Sequence, residues 1–187
     1  MGNFYTDVIQ KSPYYESPNP VNVLELLEPV TRDAVQGIIA AGRAKGLDLR
    51  TRETYRSNVL QEHYFRIGTS HLHVGVHHFG LACDIGLYVN GKFDEVGEHY
   101  KFMRNLAETH GLISGVDWGN PFVPHGWRDW DHVQRVALSR QNDLFAGRWY
   151  PDARYAPLAD MGRQTPTGWG APLIVTDAAH GHGTPGK

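Results

Sequence analysis

The sequence predicts an α+β fold, with a small, mostly antiparallel sheet and flanking helices. Segments with helical periodicity are mixed with short strand-like segments. The pair Asn90-Gly91 follows one strand-like segment directly and indicates a hairpin. Hairpins join antiparallel strands, so this signal argues against a regular array of parallel strand-helix-strand units. A chain of 187 residues is of the size expected for one domain.

Four segments are predicted to be helices. In the first, Ala34, Ile38 and Ala41 share one helical face, Thr31 can cap the start and Gly46 can close the end. The others start from a Ser or Asn cap or show one apolar face, and each ends near a glycine. The predicted helices cover residues 31–44, 57–68, 96–110 and 136–147.

The predicted strands are rich in β-branched or alternating apolar residues. A short return strand is expected from Lys92 and Phe93, after the hairpin turn. The predicted strands cover residues 47–57, 81–89, 92–93 and 129–136.

Composition divides the chain into three parts. Residues 1–22 are rich in Pro, Tyr, Ser and Asn and predict an extended N-terminal arm, residues 23–150 predict the folded domain, and residues 151–187 predict a Pro/Gly-rich C-terminal extension. The net charge of −2 gives no broad attraction to nucleic acid or anionic lipid, so neither is expected as a partner. We expect a monomer.

Targeting signals are not evident in the sequence. The N-terminus has neither the basic start nor the apolar run of a secretory signal, and no run approaches the roughly 18 apolar residues that a membrane span needs. We therefore expect synthesis in the cytoplasm without a signal peptide.

The stretch HLHVGVHHFGLACDIGLY, residues 71–88, contains the first candidate site. Alternation along a strand directs Cys83, Ile85 and Leu87 to one face, which predicts a buried structural role for this single cysteine. Asp84 faces the opposite way between small residues. A buried carboxylate is costly unless a cation meets it, so Asp84 requires a cationic partner.

Histidines supply the remaining candidate ligands. His77 lies seven residues before Asp84, and Gly80 allows the chain to bend between them. Zn²⁺ prefers tetrahedral nitrogen and oxygen ligands, with three from the protein in a catalytic site. The segment RDWDHVQ offers His132 as the third ligand, with Asp129 three residues ahead of it.

The motifs resemble a known family. HHFGLACDI reads H-x-x-G-x-A-x-D, DWDH reads D-x-x-H, and TYRSNVLQEHYFRIG is similar to the family's Tyr-Arg-Ser segment. Together they resemble the zinc D-alanyl-D-alanine carboxypeptidases, vancomycin-resistance dipeptidases and phage L-alanyl-D-glutamate endopeptidases, over about residues 50 to 135.

The resemblance implies a hedgehog/DD-peptidase-like fold and a zinc (Zn²⁺) peptidase domain in residues 23–150. It implies His77, Asp84 and His132 as metal ligands, Asp129 as catalytic base and Arg56 facing the developing oxyanion. The implied substrate is the stem peptide of bacterial peptidoglycan, most simply cut by an L-alanyl-D-glutamate endopeptidase (endolysin) that acts on the wall after release from the cell.

Several departures leave the cleaved bond open. Gly75 stands where the family usually has Ser or Thr, so Ser70 or Thr69 would have to supply that contact. The base is Asp, as in the phage branch, but Trp130 and Asp131 replace the two prolines often found there. A D-alanyl-D-alanine carboxypeptidase or dipeptidase is therefore an alternative, as are a non-catalytic zinc-binding module and a structural virion component.

Other residues have weaker assignments. His71 and His73 form an H-x-H pair that could bind metal but are expected at the rim. His78 should point away from a site that His77 enters, either into solvent or among the residues that support the ligands. Asp131 is either an orienting group for His132 or solvated. The remaining candidates are a loop histidine, two tail histidines and three tryptophans near the second motif: His125, His180, His182, Trp118, Trp127 and Trp130.

Overall fold

The computed structural model describes residues 2–70, 72–118 and 129–161. Within these residues, five antiparallel strands form one sheet with flanking helices, so the predicted α+β class is confirmed. The strands are β1 (Asp48–Glu53), β2 (Ala82–Val89), β3 (Lys92–Phe93), β4 (Ile113–Ser114) and β5 (His132–Gln134). They are ordered β1-β2-β5-β4, and β3 pairs with the end of β2.

A helix forms within each of the four segments that were predicted to be helical. They are α1 (Phe4–Asp7), α2 (Pro29–Ala44), α3 (Asn58–Arg66), α4 (Met103–Thr109), α5 (Leu138–Phe145) and α6 (Pro157–Met161). Single 3-10 turns cover Ile9–Lys11, Leu24–Leu26, Val76–Phe79, Gly97–Tyr100 and Gly115–Asp117. None of the helices in the described part of the chain is long and apolar enough to cross a membrane.

The start of α2 and the extent of α4 differ from the predictions. α2 begins at Pro29, because the Glu28 carboxylate caps it by accepting a hydrogen bond from the Thr31 amide at 3.0 Å. Thr31 is therefore not the cap. The segment predicted as one helix from residue 96 to 110 is divided between a 3-10 turn, Gly97–Tyr100, and α4.

The hairpin between β2 and β3 follows its sequence signal. Asn90 and Gly91 have φ values of +52° and +77°, as a type I′ turn requires at both central positions. Gly can adopt this conformation without steric cost, and Asn tolerates it better than most residues.

The main core lies between the sheet and the helices α2 and α4. Cys83, Ile85 and Leu87 from one face of β2 are buried there with Val133 of β5. Burial raises the pKa of the Cys83 thiol, so this cysteine is kept as an unreactive thiol in the core, as predicted. The opposite face of β2, which carries Ala82, Asp84 and Gly86, is left for the site.

The N-terminal segment is helical where an extended arm was predicted. Residues of α1 and the turn after it pack on Leu26 and Tyr55, with Ile9 fully buried, and Val21 forms a β-bridge with Tyr55. The composition of this segment did not reveal that its apolar side chains find a surface to bury against. Residues 151–161 of the predicted extension include α6, and the rest of that extension lies outside the described residues.

Candidate metal centre

Strand register brings Asp84 and His132 together. Their Cα positions are paired across β2 and β5, next to the pair Cys83 and Val133. Because Cys83 and Val133 both enter the core, alternation directs their neighbours to the other face. Directly paired side chains on one face lie about 5 Å apart at Cβ, so the carboxylate and imidazole meet there.

A short turn delivers His77 to the same place. His77 lies in the 3-10 turn Val76–Phe79, and Gly80 ends this turn with φ +70°. A Cβ atom on Gly80 would lie 2.4 Å from the carbonyl oxygen of Leu26, so the position is also sterically restricted to glycine. The chain then enters β2 and reaches Asp84 two residues into the strand.

The three side chains form a triangle of donor atoms. His77 Nε2 lies 3.2 Å from His132 Nδ1, and Asp84 Oδ1 lies 3.2 Å from each of these nitrogens. His77 and His132 are fully buried and Asp84 is 1% exposed. Two imidazole nitrogens and one carboxylate oxygen therefore converge on one point inside the protein.

This donor set fits a tetrahedral zinc ion. Ligand bonds of about 2.05 Å place tetrahedral ligand atoms about 3.3 Å apart, close to the observed edges of the triangle. The chemistry is also suitable, because nitrogen and oxygen ligands in threes are typical of catalytic zinc. The structure thus brings together the three predicted ligands in an arrangement that could hold the metal.

Asp129 lies beside the triangle. Its Oδ2 is 3.9 Å from His132 Nδ1, and it is 5% exposed. The backbone of Gly115 supports this placement: the Asp129 amide donates to the Gly115 carbonyl at 3.2 Å, and a Cβ atom on Gly115 would lie 2.4 Å from the Asp129 carbonyl oxygen. The carboxylates of Asp84, Asp129 and Asp131 lie within 4.8 Å of one another.

Arg56 is buried next to Asp84. Its guanidinium makes a two-point ion pair with Glu53 and donates to Gln61 Oε1 at 3.3 Å. Its Nη2 also lies 3.7 Å from Asp84 Oδ2. Since Glu53 is the β1 partner of Asp84, two carboxylates face each other across the strands, and Arg56 reduces their repulsion.

A second arginine, Arg52, pairs with another carboxylate near the site. Arg52 donates to Asp131 Oδ2 at 3.0 Å and lies over the ring of Phe93, 3.6 Å from its centroid. Gly86 leaves room for this stack, because a Cβ atom there would lie 2.7 Å from the Arg52 side chain. The prediction left Asp131 as either an orienting group or solvated, and the structure buries it in this ion pair.

The charges around the triangle favour a divalent cation. Four buried carboxylates stand near it, from Glu53, Asp84, Asp129 and Asp131, against two guanidinium groups. Counted formally and without the two histidines, these six side chains have four negative and two positive groups, and one divalent cation would balance the difference.

Asp84 is kept ionised by its neighbours. Burial raises the pKa of the Asp84 carboxyl, but the imidazoles of His77 and His132 outweigh it and hold that pKa well below its ordinary value. An ionised carboxylate is the form that binds a metal.

The other predicted residues have different positions. His73 is exposed and pairs with Glu62 at 2.6 Å, as a rim residue would. Of the two environments expected for His78, solvent or the surroundings of the ligands, the structure gives a buried one, and its Nε2 lies 2.8 Å from the Tyr5 hydroxyl. Trp118 packs on the His132 ring at 4.7 Å between centroids, and Trp130 packs against the main core. The remaining predictions lie outside the described residues: His71, His125, Trp127, His180 and His182.

Some neighbours of the site were missed from the sequence. Glu53, Arg52 and Gln134 were not singled out, although Gln134 is two residues after His132 and so shares its strand face. Glu53 pairs opposite Asp84 only because of a register shift between Thr51 and Glu53, which no sequence signal reveals.

Comparison with known proteins gives likenesses in fold. Neither a protein-family model nor a curated protein sequence matches the chain. The L-Ala D-Glu endopeptidase ChiX of Serratia marcescens has a similar crystal structure, with 20% identity and a TM-score of 0.49 over 59% of this chain and 81% of that chain. The LD-carboxypeptidase LdcB, whose structure addresses peptidoglycan recognition, has 21% identity and a TM-score of 0.45 over 58% of each chain.

Proposed function

We propose that this protein is a zinc-dependent peptidase that hydrolyses stem-peptide bonds of bacterial peptidoglycan. The observation that carries the proposal is the triangle of His77, Asp84 and His132, with Asp129 beside it. The metal explains the donor triangle and the local excess of negative charge, while the substrate class comes from the motif resemblance.

The ligands have separate tasks in this proposal. His77 Nε2, His132 Nδ1 and Asp84 Oδ1 would hold zinc, which supplies Lewis acidity and lowers the pKa of a water molecule when bound. Burial of all three ligands limits competition from solvent and keeps their geometry fixed.

Asp129 is the proposed general base and acid. Its carboxylate would accept a proton from the attacking water at one of its oxygens and later donate that proton to the leaving amine. The 3.9 Å from Asp129 Oδ2 to His132 Nδ1 leaves it close to the ligands without making it one of the three.

Arg56 is the proposed source of positive charge beside the reacting carbonyl. Its guanidinium cannot lose its proton at neutral pH, so it would stabilise negative charge that develops on the carbonyl oxygen. Its bonds to Glu53 and Gln61 fix its plane, so it offers a preorganised charge rather than a mobile one.

Among the bonds of the stem peptide, we propose the L-alanyl-D-glutamate bond. The Asp base in D-x-x-H resembles the phage endopeptidase branch. Cleavage of D-alanyl-D-alanine is the second candidate, because Trp130 and Asp131 replace the two prolines often found in the phage branch.

The test combines metal analysis with muropeptide digestion. Protein purified without a histidine tag should contain one equivalent of zinc, and it should release fragments that end at L-alanine, identified by mass spectrometry. Asp129→Asn should retain zinc and fold while turnover falls by roughly 10² to 10⁴-fold. Asp143→Asn, which alters an exposed ion pair on α5, is the matched control and should retain activity.

Each contrary outcome has a separate meaning. Release of free D-alanine would replace the endopeptidase proposal with the carboxypeptidase. Bound zinc with no hydrolysis of any peptidoglycan would favour a non-catalytic zinc module. Protein without zinc whose His132→Ala variant has unchanged activity would refute the metal centre.

A further inference from the structure

We propose that Tyr5 is a positioning residue of the metal centre, which holds the turn Val76–Phe79 in the conformation that presents His77. The inference extends the site to the N-terminal segment, residues 3–17, which precedes all the motifs. It rests on the proposed function for its consequence in metal binding. The order of this turn, called here the His77 turn, can be measured in the metal-free protein.

The His77 turn is too short to hold its conformation alone. It is a single 3-10 turn of four residues. The His78 amide donates to the carbonyl of Gly75 at 3.1 Å, and the Gly80 amide donates to the carbonyl of His77 at 3.2 Å. Hydrogen-bond geometry in 3-10 turns is poorer than in α-helices, and a first turn orders several residues for few bonds. Its conformation must therefore depend on contacts with the rest of the protein.

Tyr5 contacts both residues that follow His77 in the turn. Its hydroxyl oxygen lies 2.8 Å from His78 Nε2. Its ring lies 5.3 Å from the His78 ring and 4.9 Å from the Phe79 ring, measured between centroids. One half-buried side chain thus fixes the next two residues after the ligand, by a hydrogen bond and by aromatic contacts.

The same contacts connect the His77 turn to Arg56. His78 Nδ1 lies 3.3 Å from the carbonyl oxygen of Arg56, so the imidazole spans the space between Tyr5 and the backbone that follows β1. The Tyr55 ring stacks on the His78 ring, 6.0 Å between centroids. Tyr5 therefore supports the segment that supplies a proposed ligand where it meets the segment that supplies the proposed guanidinium.

Tyr5 is itself held in place by the fold. Its hydroxyl lies 3.2 Å from the hydroxyl of Tyr15, whose carbonyl accepts a hydrogen bond from the Tyr55 hydroxyl at 2.8 Å. Ile9 is fully buried, and a Cβ atom on Gly80 would lie 2.8 Å from its side chain. The N-terminal segment is therefore anchored at Ile9 and Tyr15, so Tyr5 meets the turn as a fixed support.

The end of the His77 turn has a second support. The Tyr150 hydroxyl donates to the carbonyl of Phe79 at 2.9 Å, and the Phe145 ring stacks on the Phe79 ring, 5.9 Å between centroids. These contacts do not involve Tyr5. Loss of the Tyr5 side chain should therefore loosen the turn without unfolding the protein.

A loosened turn would weaken metal binding. The apparent affinity is the intrinsic affinity multiplied by the fraction of molecules that have the binding conformation. Contacts that support metal ligands typically account for roughly 10 to 100-fold in metal affinity. A 10-fold loss would mean that the turn is closed in about one tenth of the molecules, so its amides would also lose their protection from hydrogen exchange.

The experiment measures the order of the turn without metal and the affinity with it. In metal-free, ¹⁵N-labelled full-length Tyr5→Ala, hydrogen exchange followed by NMR should show that the His78 and Gly80 amides have lost most of their protection. The Ile85 amide, in the middle of β2, should remain protected because the sheet is still folded. Zinc affinity measured by chelator competition should fall by roughly 10-fold.

Two control variants separate position from stability. Tyr14→Ala removes an exposed tyrosine of the same segment and should leave the turn and the zinc affinity unchanged. Leu106→Ala removes a buried side chain of α4 in the main core, so it should lower the free energy of unfolding without changing the zinc affinity.

Two further substitutions at Tyr5 complete the series. Tyr5→Phe keeps the ring contacts and should restore part of the affinity. If Tyr5→Ala does not fold, as judged by circular dichroism, Tyr5→Leu takes its place and should show both effects.

Retained protection of the His78 and Gly80 amides in the folded variant would overturn the proposal, as would unchanged zinc affinity. An equal loss of affinity in Leu106→Ala would also overturn it, because the effect would then follow from stability alone. Failure of the proposed function gives another result. A wild-type protein that does not bind zinc, but whose turn loses its protection in Tyr5→Ala, would support the positioning by Tyr5 and refute the metal centre.

Discussion

The buried histidine next to the first ligand should make the protein sensitive to acid. His78 is 3% exposed, its Nε2 lies 2.8 Å from the Tyr5 hydroxyl, and its Nδ1 lies 3.3 Å from the carbonyl oxygen of Arg56. The carbonyl requires a proton on Nδ1, so the neutral ring accepts from Tyr5 at Nε2. Burial lowers the pKa of His78 from 6.5 to about 4, although the hydrogen bond to Arg56 opposes the shift.

The direction of the effect on stability follows from this shift. Between pH 6.5 and 4 the unfolded chain binds a proton at His78 that the folded protein does not, so the free energy of unfolding falls as the pH falls through that window. With these two pKa values, lowering the pH from about 7.5 to 5 removes about 2 kcal/mol of stability. For a chain of this size, that corresponds to a decrease in Tm of roughly 4 to 8 °C.

The assay is urea unfolding at both pH values, with a chelator present so that metal release does not contribute. The wild type should lose about 2 kcal/mol more between the two pH values than His78→Gln, which cannot titrate. His63→Gln removes an exposed histidine on α3 and serves as the control that should follow the wild type. Equal losses in the wild type and His78→Gln would refute the reasoning.

Two further predictions concern the buried ion pair at α2 and the placement of the base. Glu28→Ala leaves the buried guanidinium of Arg135 without its carboxylate partner, so the free energy of unfolding measured in urea should fall by about 3 to 5 kcal/mol. The control is Asp160→Ala, at a partly exposed ion pair with Arg140, which should lower it by about 1 kcal/mol or less. Gly115→Ala should displace Asp129 and reduce turnover by about 10²-fold with zinc retained; full activity would show that the contact is not required.

Strand alternation was sufficient to predict which face of β2 carries Asp84. Asp84 was assigned to the face opposite Cys83, and the structure places it there because Cys83 and Val133 form the core pair. The assignment of His132 to the same point needed the motif D-x-x-H, since nothing in its local sequence states that β5 pairs with β2. That pairing depends on contacts far apart in the chain.

The unpredicted parts share a physical cause. The helical turns near Phe4 and Ile9 form against Tyr55, and the pairing of Glu53 with Asp84 depends on a local shift in strand register. Both features arise from tertiary contacts, which override local composition. Gln134 was within reach of the sequence, because a polar residue two positions after a strand histidine shares its face.

Because β2 lies inside the sheet, local opening of the strand that carries Asp84 should be rare. β2 is hydrogen-bonded to β1 on one side and to β5 on the other. Opening it locally would break both ladders and uncover the core residues on its far face, which brings the free energy of that fluctuation close to that of global unfolding. The amide of Asp84 should therefore belong to the slowest set in hydrogen exchange, and the carboxylate should stay in place for as long as the molecule is folded.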